Sequence, residues 1–128
     1  MEVKSGIKMP NFIEKMVQHI EYANGTKERW QNGKWHREDG PAIEDFDGNK
    51  FWYQYGRLHR EDGPAAKDFH CNKFWYKNGL YHREDGPAIE CFNGIKSWWL
   101  NGKHCGNYFT NEFWAKFVKV FTQTVIFS

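Results

Sequence analysis

One heptapeptide, His-Arg-Glu-Asp-Gly-Pro-Ala, occurs three times without change, at residues 36–42, 59–65 and 82–88. The copies are 23 residues apart, and the residues between them repeat as well. A period of this length indicates a small supersecondary unit that buries its apolar side against neighbouring units. A degenerate leading copy covers residues 19–33, and Cys105 stands where a fourth heptapeptide would begin. The sequence therefore predicts about four stacked units.

Each unit has the pattern of a β-hairpin. In the second unit, Ala42–Phe46 and Lys50–Gln54 read as two strands, and Asp47-Gly48 between them predicts a type I′ turn. Asn78-Gly79 and its equivalents in the other units predict a second reversal. In the third unit His70-Cys71 replaces the turn dipeptide, so we expect a different turn there. In the heptapeptide, Gly40 is expected to supply an unusual φ before Pro41.

Aromatic residues dominate the apolar inventory, with 11 Phe, 7 Trp and 6 Tyr. Strand alternation places one ring of each unit in a common column, formed by Trp30, Tyr53, Tyr76 and Trp99. It places three further rings on the opposite face, namely Trp52, Trp75 and Trp98. A third column contains Phe46, Phe69 and Phe92. The 23-residue period explains most of this aromatic bias, because one aromatic-rich unit has been copied about four times.

The array needs caps, since an open repeat sheet exposes edges and rings. Thr110 or Asn111 is a suitable N-cap, and an apolar stripe that starts at Phe113 predicts a helix over about 111–121. Residues 124–127 are expected to form a strand or a docked tail, and residues 10–17 a short helix. We therefore predict one all-β domain, a single-layer meander of antiparallel hairpins over 19–106, with an N-terminal cap over 1–18 and a helical cap and tail over 107–128.

The chain carries no strong charge signature, with a formal net charge of +2. No run of about 18 apolar residues is present, which excludes a transmembrane helix. Residues 1–12 contain no apolar stretch of signal-peptide length, and the three cysteines form no C-x-x-C pair. We expect reduced thiols and a cytoplasmic protein, including the cytoplasm of an infected host.

The segment Asn32-Gly-Lys-Trp-His-Arg-Glu-Asp-Gly-Pro-Ala42 resembles the MORN-like repeat of small proteins that bacteriophages and giant viruses encode. The resemblance covers about residues 19–104, and similar repeats are grouped under a toxin–antitoxin label. It implies a β-hairpin repeat that mediates binding, and it carries over no catalytic residue. It also implies a phage or viral protein that inhibits or modulates a host factor, for example in a defence system.

The heptapeptide itself offers His36, Arg37 and the paired carboxylates Glu38-Asp39, a set that general acid–base catalysis or a metal could use. Three identical copies at the structural period favour a structural role, since catalytic groups usually occur once. We expect Asp39 to accept backbone N–H bonds, Arg37 to pair with a carboxylate of a neighbouring unit, and His36 to donate to a backbone carbonyl. The His-Cys pairs at 70–71 and 104–105 match no zinc spacing.

The function predicted from these features is non-catalytic binding of another protein, by a monomer or an edge-paired dimer, without cofactor or metal. The predicted binding residues are Trp52, Trp75, Trp98, Arg37, Arg60, Arg83, His36, His59 and His82. Residues 36–92 carry a net charge of −3, which argues against a nucleic-acid partner, and the helix has too few basic residues for a membrane anchor. Three alternatives stay open: stacking of a nucleotide or small ligand on the tryptophans, an antitoxin-like partner of a toxin, and an enzyme that uses one heptapeptide copy.

Overall fold

A computed structural model of the protein describes residues 16–127, as fourteen β-strands and one helix. The elements are β1 Val17–Glu21, β2 Lys27–Gln31, β3 Lys34–Trp35, β4 Ile43–Glu44, β5 Lys50–Phe51, β6 Tyr53–Gln54, β7 Arg57–Leu58, β8 Ala66–Lys67, β9 Lys73–Phe74, β10 Tyr76–Lys77, β11 Leu80–Tyr81, β12 Ile89–Glu90, β13 Lys96–Leu100, β14 Lys103–Gly106 and α1 Asn111–Phe127. All pairings between these strands are antiparallel. The predicted all-β repeat fold with a C-terminal helix is confirmed.

The main sheet contains one hairpin from each unit. Its strand order is β1-β2-β4-β5-β8-β9-β12-β13-β14, with β3 paired to β2, so that successive hairpins lie side by side in chain order. Residues opposite each other share a face of a sheet, and one face carries apolar side chains such as Ile43, Phe51 and Ala66. The other face carries charged side chains, which include Glu44 and Lys50.

A second row of short hairpins lies beside the main sheet. The predicted strand Lys50–Gln54 is split at Trp52, because its backbone N–H bonds to Ala65 while its carbonyl accepts from His59. The chain therefore leaves the main sheet at Trp52, and Tyr53–Gln54 pairs with Arg57–Leu58. Trp75 makes the same change in the next unit. The prediction of one continuous strand was wrong, since two hydrogen-bonding partners meet at this residue.

The second row reverses where the sequence predicts a second reversal, and its turns are of type I′. Both central residues have positive φ, for example Asn78 at 52° and Gly79 at 81°. In the main sheet the prediction for Asp47-Gly48 was wrong. Only Gly48 has positive φ. Its N–H donates to the carbonyl of Asp45, and the N–H of Asp45 donates to the carbonyl of Asn49. This is a three-residue loop in which a left-handed residue forms a bulge.

The third unit keeps this same loop despite its different residues. The Cys71 N–H donates to the carbonyl of Asp68 at 3.1 Å, and the Asp68 N–H donates to Asn72 at 3.1 Å. Cys71 therefore takes the left-handed position of Gly48, with φ of 68°. The expectation of a different turn was wrong, because the side chain of Asp68 accepts the N–H groups of His70 and Asn72 and holds the loop.

The aromatic column of the second row is present and denser than predicted. Each predicted ring faces a residue of the returning strand, so that Trp35 packs between Trp30 and Tyr53 with centroid distances of 5.1 and 5.0 Å. Tyr81 lies in the same way between Tyr76 and Trp99, at 4.4 and 5.2 Å. By contrast, Phe46, Phe69 and Phe92 stand exposed at the tips of the main-sheet hairpins.

Helix α1 closes the C-terminal end of the array. The hydroxyl of Thr110 accepts the N–H of Phe113 at 3.1 Å, as expected of an N-cap. Trp114 and Val118 are buried against Trp98 and Leu100, which forms the most continuous apolar core of residues 16–127. Phe113, which was predicted to lie on the stripe, is 55% exposed.

The helix is also longer than predicted. Residues 124–127, predicted as a strand or a tail, continue it to Phe127. No glycine or proline interrupts the chain after Asn111, and the hydroxyl of Thr122 donates to the carbonyls of Val118 and Lys119 within the helix. At the other end, Val17 starts a strand, and the rest of the predicted 10–17 helix lies almost wholly outside the described residues. Within residues 16–127 no helix has the length and apolar character to cross a membrane.

Candidate functional site

The histidines of the heptapeptide are structural links between units. The Nδ1 atoms of His36, His59 and His82 accept backbone N–H groups of the following unit at 3.1, 3.0 and 2.9 Å, respectively. His36 and His59 are only 4% and 8% exposed. The expectation that His36 donates to a backbone carbonyl was wrong, because its Nδ1 atom acts as an acceptor and must therefore carry no proton.

The other ring nitrogen of each histidine faces the glutamate of the same heptapeptide. Nε2 of His36 lies 3.1 Å from Glu38, and Nε2 of His59 lies 2.8 Å from Glu61. Because Nδ1 is an acceptor, Nε2 carries the proton and donates to the carboxylate. In the third copy the distance from His82 to Glu84 is 3.5 Å, and this buried nitrogen has no well-formed hydrogen bond to any described residue. The histidine of the third copy is therefore held by one well-formed side-chain hydrogen bond instead of two.

The arginines close their own turns. Nε of Arg37 donates to Asp39 at 2.9 Å, and a terminal nitrogen donates to the carbonyl of Pro41 at 3.2 Å. Arg60 and Arg83 repeat both contacts. The expected pairing of Arg37 with a neighbouring unit was wrong for this residue, because the aspartate two residues on lies within closer reach, but Arg83 also pairs with Glu90 of the next unit at 3.0 Å.

The glycine of the heptapeptide makes room for the arginine. A Cβ atom built on Gly40 would lie 2.8 Å from Cζ of Arg37, and Gly63 and Gly86 have the same contact with their arginines. Gly40 is not among the residues with positive φ. The expectation of an unusual φ was therefore wrong, since the glycine is needed for the close approach of the guanidinium group.

Two of the arginines also cover a tryptophan eight residues earlier in the same unit. Cζ of Arg60 lies 4.1 Å from the ring centroid of Trp52, and Cζ of Arg83 lies 3.8 Å from that of Trp75, both in cation–π contact. Trp98 has no following arginine, and Phe109 contacts its ring instead, at 5.5 Å. Gly106 permits this arrangement, because a Cβ atom there would lie 2.7 Å from the Phe109 ring.

The carboxylates of the three turns form the exposed part of the heptapeptides. We call these six side chains the HRED ridge: Glu38, Asp39, Glu61, Asp62, Glu84 and Asp85. The aspartate side chains are 84–85% exposed and the glutamate side chains 55–77%, whereas the arginine side chains are only 19–28% exposed. Two strands separate one turn from the next, so the pairs are spaced by about 10 Å.

Arginines lower the pKa of two aspartates of the ridge. The hydrogen bond from Arg37, reinforced by its charge, holds the pKa of Asp39 below its usual range. Arg60 lowers the pKa of Asp62 in the same way. These two carboxylates therefore keep their negative charge to a lower pH than an ordinary aspartate does.

A cleft lies between each pair of turns. The cleft between the first two turns is about 620 Å³ and is lined by Trp52 and Arg60. The next cleft, about 490 Å³, is lined by Trp75 and Arg83. Beyond the third turn the segment around Tyr108 replaces a heptapeptide, and the cleft there is larger, about 1050 Å³. The ridge is thus a row of acidic rims above clefts with aromatic and arginine walls.

The structure brings the predicted site residues into this one region, in different roles. The imidazole rings lie inside, the guanidinium groups cross the turns, and Trp98 is 5% exposed beneath the helical cap. The exposed carboxylates were missing from the predicted binding residues, although Glu38-Asp39 had been noted as a possible catalytic pair. The heptapeptide itself could have indicated these carboxylates, because its shortest charged side chains cannot extend from the turn into the interior of the array.

Metal-ligating side chains and free thiols are the remaining chemical groups to place. Within residues 16–127, no group of three or more His, Cys, Asp or Glu side chains is placed to hold a metal ion. Cys71 is exposed and Cys105 half-buried, both as free thiols, and burial raises the pKa of Cys105.

Comparison of the chain with protein-family models, with curated proteins and with solved structures gave no match. The resemblance to MORN-like repeats therefore rests on the repeated sequence motif alone.

Proposed function

We propose that the protein is a non-catalytic interaction module that binds a basic segment of another protein along the HRED ridge. The observation that carries this proposal is the repeated presentation of the carboxyl groups of Asp39, Asp62 and Asp85 at the outside of three turns of the same sequence, each side chain 84–85% exposed. Their charge is balanced only in part by guanidinium groups that lie inward. A row of like charges on a rigid scaffold attracts a segment of opposite charge.

The spacing of the ridge suggests the form of the partner segment. A polyproline II segment has three residues per turn and advances about 3.1 Å per residue, so side chains three residues apart lie on the same side, about 9 Å from each other. A segment with Lys or Arg at every third position would place one cation over each acidic pair. The clefts below would accept the aliphatic stems of these side chains, which pack readily on aromatic walls.

The same contacts support a binding role over a catalytic one. Both ring nitrogens of His36 and His59 are engaged in bonds that hold the array together. An imidazole in that position is not free to exchange a proton with a substrate without losing a link between units. The three copies also share the bond from histidine to the next unit and the bond from arginine to aspartate, as expected of a scaffold.

The class of partner follows from the resemblance stated above. A repeat protein of phage or viral type would use such a ridge on a host protein, as an inhibitor or modulator of a host factor acting in the cytoplasm. An antitoxin-like pairing with a basic toxin would use the same ridge. Stacking of a nucleotide on the tryptophans is less well supported, because Arg60 and Arg83 already occupy a face of Trp52 and Trp75.

The proposal is tested by removing charge from the ridge without removing its hydrogen bonds. In the triple variant Asp39→Asn, Asp62→Asn and Asp85→Asn, the amide oxygen still accepts from the arginine. We expect its affinity for a peptide with lysine at every third position to fall roughly fivefold or more, as estimated from exposed ion pairs.

The matched control removes three exposed carboxylates elsewhere, by Glu21→Gln, Asp47→Asn and Glu112→Gln. It changes the net charge equally, so an effect of charge alone would appear in both variants. Equal affinity of the ridge variant and the wild type would contradict the proposal.

A further inference from the structure

The charged face of the main sheet carries a ladder of opposed side chains that is broken at one position. Each member of the ladder lies directly opposite the next in the neighbouring strand. Across the sheet the members are Glu21, Lys27, Glu44, Lys50, Lys67, Lys73, Glu90 and Lys96. Glutamate and lysine alternate throughout, except at Lys67. This residue occupies the position of Glu44 and Glu90 in the units before and after it.

Three lysines therefore stand side by side, and we call Lys50, Lys67 and Lys73 the lysine strip. Directly opposed side chains in neighbouring strands have Cβ atoms about 5 Å apart, a distance at which like charges repel each other. Among residues 16–127, none of the three ammonium groups has an ion-pair or hydrogen-bond partner. The strip is a concentration of positive charge that the fold itself does not neutralise.

A second irregularity falls in the same hairpin. Cys71 holds a left-handed backbone conformation, with φ of 68°, where the neighbouring units have Gly48 and Gly94. Phe69 at the tip is 58% exposed, and the His70 ring lies 3.9 Å from it. Unfavourable local features that gather in one element point to a function for that element. This hairpin of the third unit, Ala66–Phe74, is where the chain departs most from its own repeat.

We propose that the lysine strip binds a compact polyanion of linked phosphate groups. The strip spans two strand spacings, about 10 Å, and Glu44 and Glu90 bound it on either side. This length suits a chain of three phosphates and opposes a long polyanion, which would meet the carboxylates at both ends. Lysine ammonium groups bind phosphate as point charges, without a fixed direction of approach.

The phosphate chain has two possible sources, an inorganic triphosphate or a nucleoside triphosphate. Phe69 stands two residues beyond Lys67, about 7 Å along the chain, and offers an exposed ring on which a base can stack. A nucleotide would therefore use the ring and the strip together, whereas an inorganic triphosphate would use the strip alone.

Isothermal titration of the full chain with inorganic tripolyphosphate and with ATP tests the proposal. We expect both to bind the wild type, and Lys67→Glu to weaken both by at least tenfold while leaving the urea midpoint unchanged or higher. Lys119→Glu, which alters net charge equally on the exposed side of the helix, should bind like the wild type. This control separates the strip from a general effect of charge.

The outcomes of the titrations distinguish the two sources of the phosphate chain, and some of them would overturn the proposal. Tighter binding of ATP than of tripolyphosphate, with the difference lost in Phe69→Ala, identifies the nucleotide; equal binding identifies the phosphate chain alone. Absence of binding to the wild type, an unchanged affinity in Lys67→Glu, or tighter binding of a hexaglutamate peptide than of tripolyphosphate would each overturn the proposal. The strip and the ridge share no residue, so binding of tripolyphosphate to the wild type does not depend on whether the ridge binds a basic peptide.

Discussion

Nδ1 of His59 accepts the backbone N–H of Asn78, nineteen residues on, at 3.0 Å. Asn78 is the first left-handed residue of the type I′ turn in the next unit. One heptapeptide side chain thus fixes the turn of its neighbour, and the same bond recurs at His36 and His82. The heptapeptide repeats because each copy performs this connection once.

Loss of the acceptor at His59 should destabilise the array. His59→Leu leaves the Asn78 N–H without a partner, and we expect the free energy of unfolding to fall by about 2 kcal/mol. His59→Asn keeps an acceptor oxygen near the position of Nδ1, so its loss should be smaller. Urea unfolding measures both. His19→Leu, at an exposed position, is the control, and equal stability of His59→Leu and the wild type would contradict this role.

The three histidines should differ in a defined order. His36 and His59 each bond at both ring nitrogens, whereas Nε2 of His82 lacks a well-formed bond. We expect alanine at His82 to lower the free energy of unfolding by about 1 kcal/mol less than alanine at His36 or His59. A catalytic histidine would instead show one position where activity is lost without a matching loss of stability.

Glycine at position 71 should stabilise the protein. Cys71 takes a left-handed conformation that costs a residue with a Cβ about 1 kcal/mol, and glycine adopts it freely. We expect Cys71→Gly to raise the free energy of unfolding by about that amount, as measured by urea titration under reducing conditions. Gly48→Cys makes the opposite change in the unit before, and it should lower stability. A decrease in Cys71→Gly would show that the thiol itself stabilises the loop.

Restoring the charge alternation should also stabilise the sheet. Lys67→Glu places a carboxylate between Lys50 and Lys73, and we expect a gain of about 1 kcal/mol at low salt that shrinks in 0.5 M NaCl. Lys27→Glu creates the mirror case, three adjacent glutamates, and should be destabilising. Thermal unfolding at two salt concentrations separates these charge effects from packing effects, which salt would leave unchanged.

The hairpin tip of the third unit should weaken in acid. Burial of Asp68 would raise its pKa, but hydrogen bonds from Asn72 and His70 outweigh this and lower the pKa below its ordinary 3.8. A lowered folded pKa means that the carboxylate stabilises the fold above about pH 4, and that this contribution is lost as pH falls through the folded pKa. Asp68→Asn should lower the urea midpoint at pH 7 and flatten its fall between pH 5 and pH 2.5. A parallel fall in both proteins would contradict this assignment.

The sequence predicted the period, the hairpins and the capping helix because these depend on local patterns. Asn-Gly pairs with two left-handed residues define the second-row turns, and Thr110 marks the start of the helix. The main-sheet loop was mispredicted because Asp47-Gly48 resembles a two-residue turn. The carboxylate of Asp45 supports the loop through the N–H groups of Asp47 and Asn49, and the first and fourth units form the same loop with Tyr22 and Cys91 in its place.

The residue types that form the site could be predicted from the sequence, but the contacts between them could not. The heptapeptide contains every group that the ridge uses, but several partners were available to Arg37 and His36. Their choice depends on the distance between neighbouring turns, which the sequence does not specify. The lysine strip could have been found by aligning Glu44, Lys67 and Glu90 in the 23-residue period. Its significance requires the strand register, since only the register places Lys50 and Lys73 on either side of Lys67.

The central claim is that the HRED ridge recognises a basic segment, and the spacing of that segment tests it most directly. Two proline-rich peptides of equal length, each with three lysines, are titrated against the wild-type protein, one with the lysines three residues apart and one with the lysines two residues apart. If the roughly 10 Å between acidic turns determines binding, the first peptide should bind several-fold more tightly. Equal affinities for the two peptides, or binding of neither, would contradict the claim.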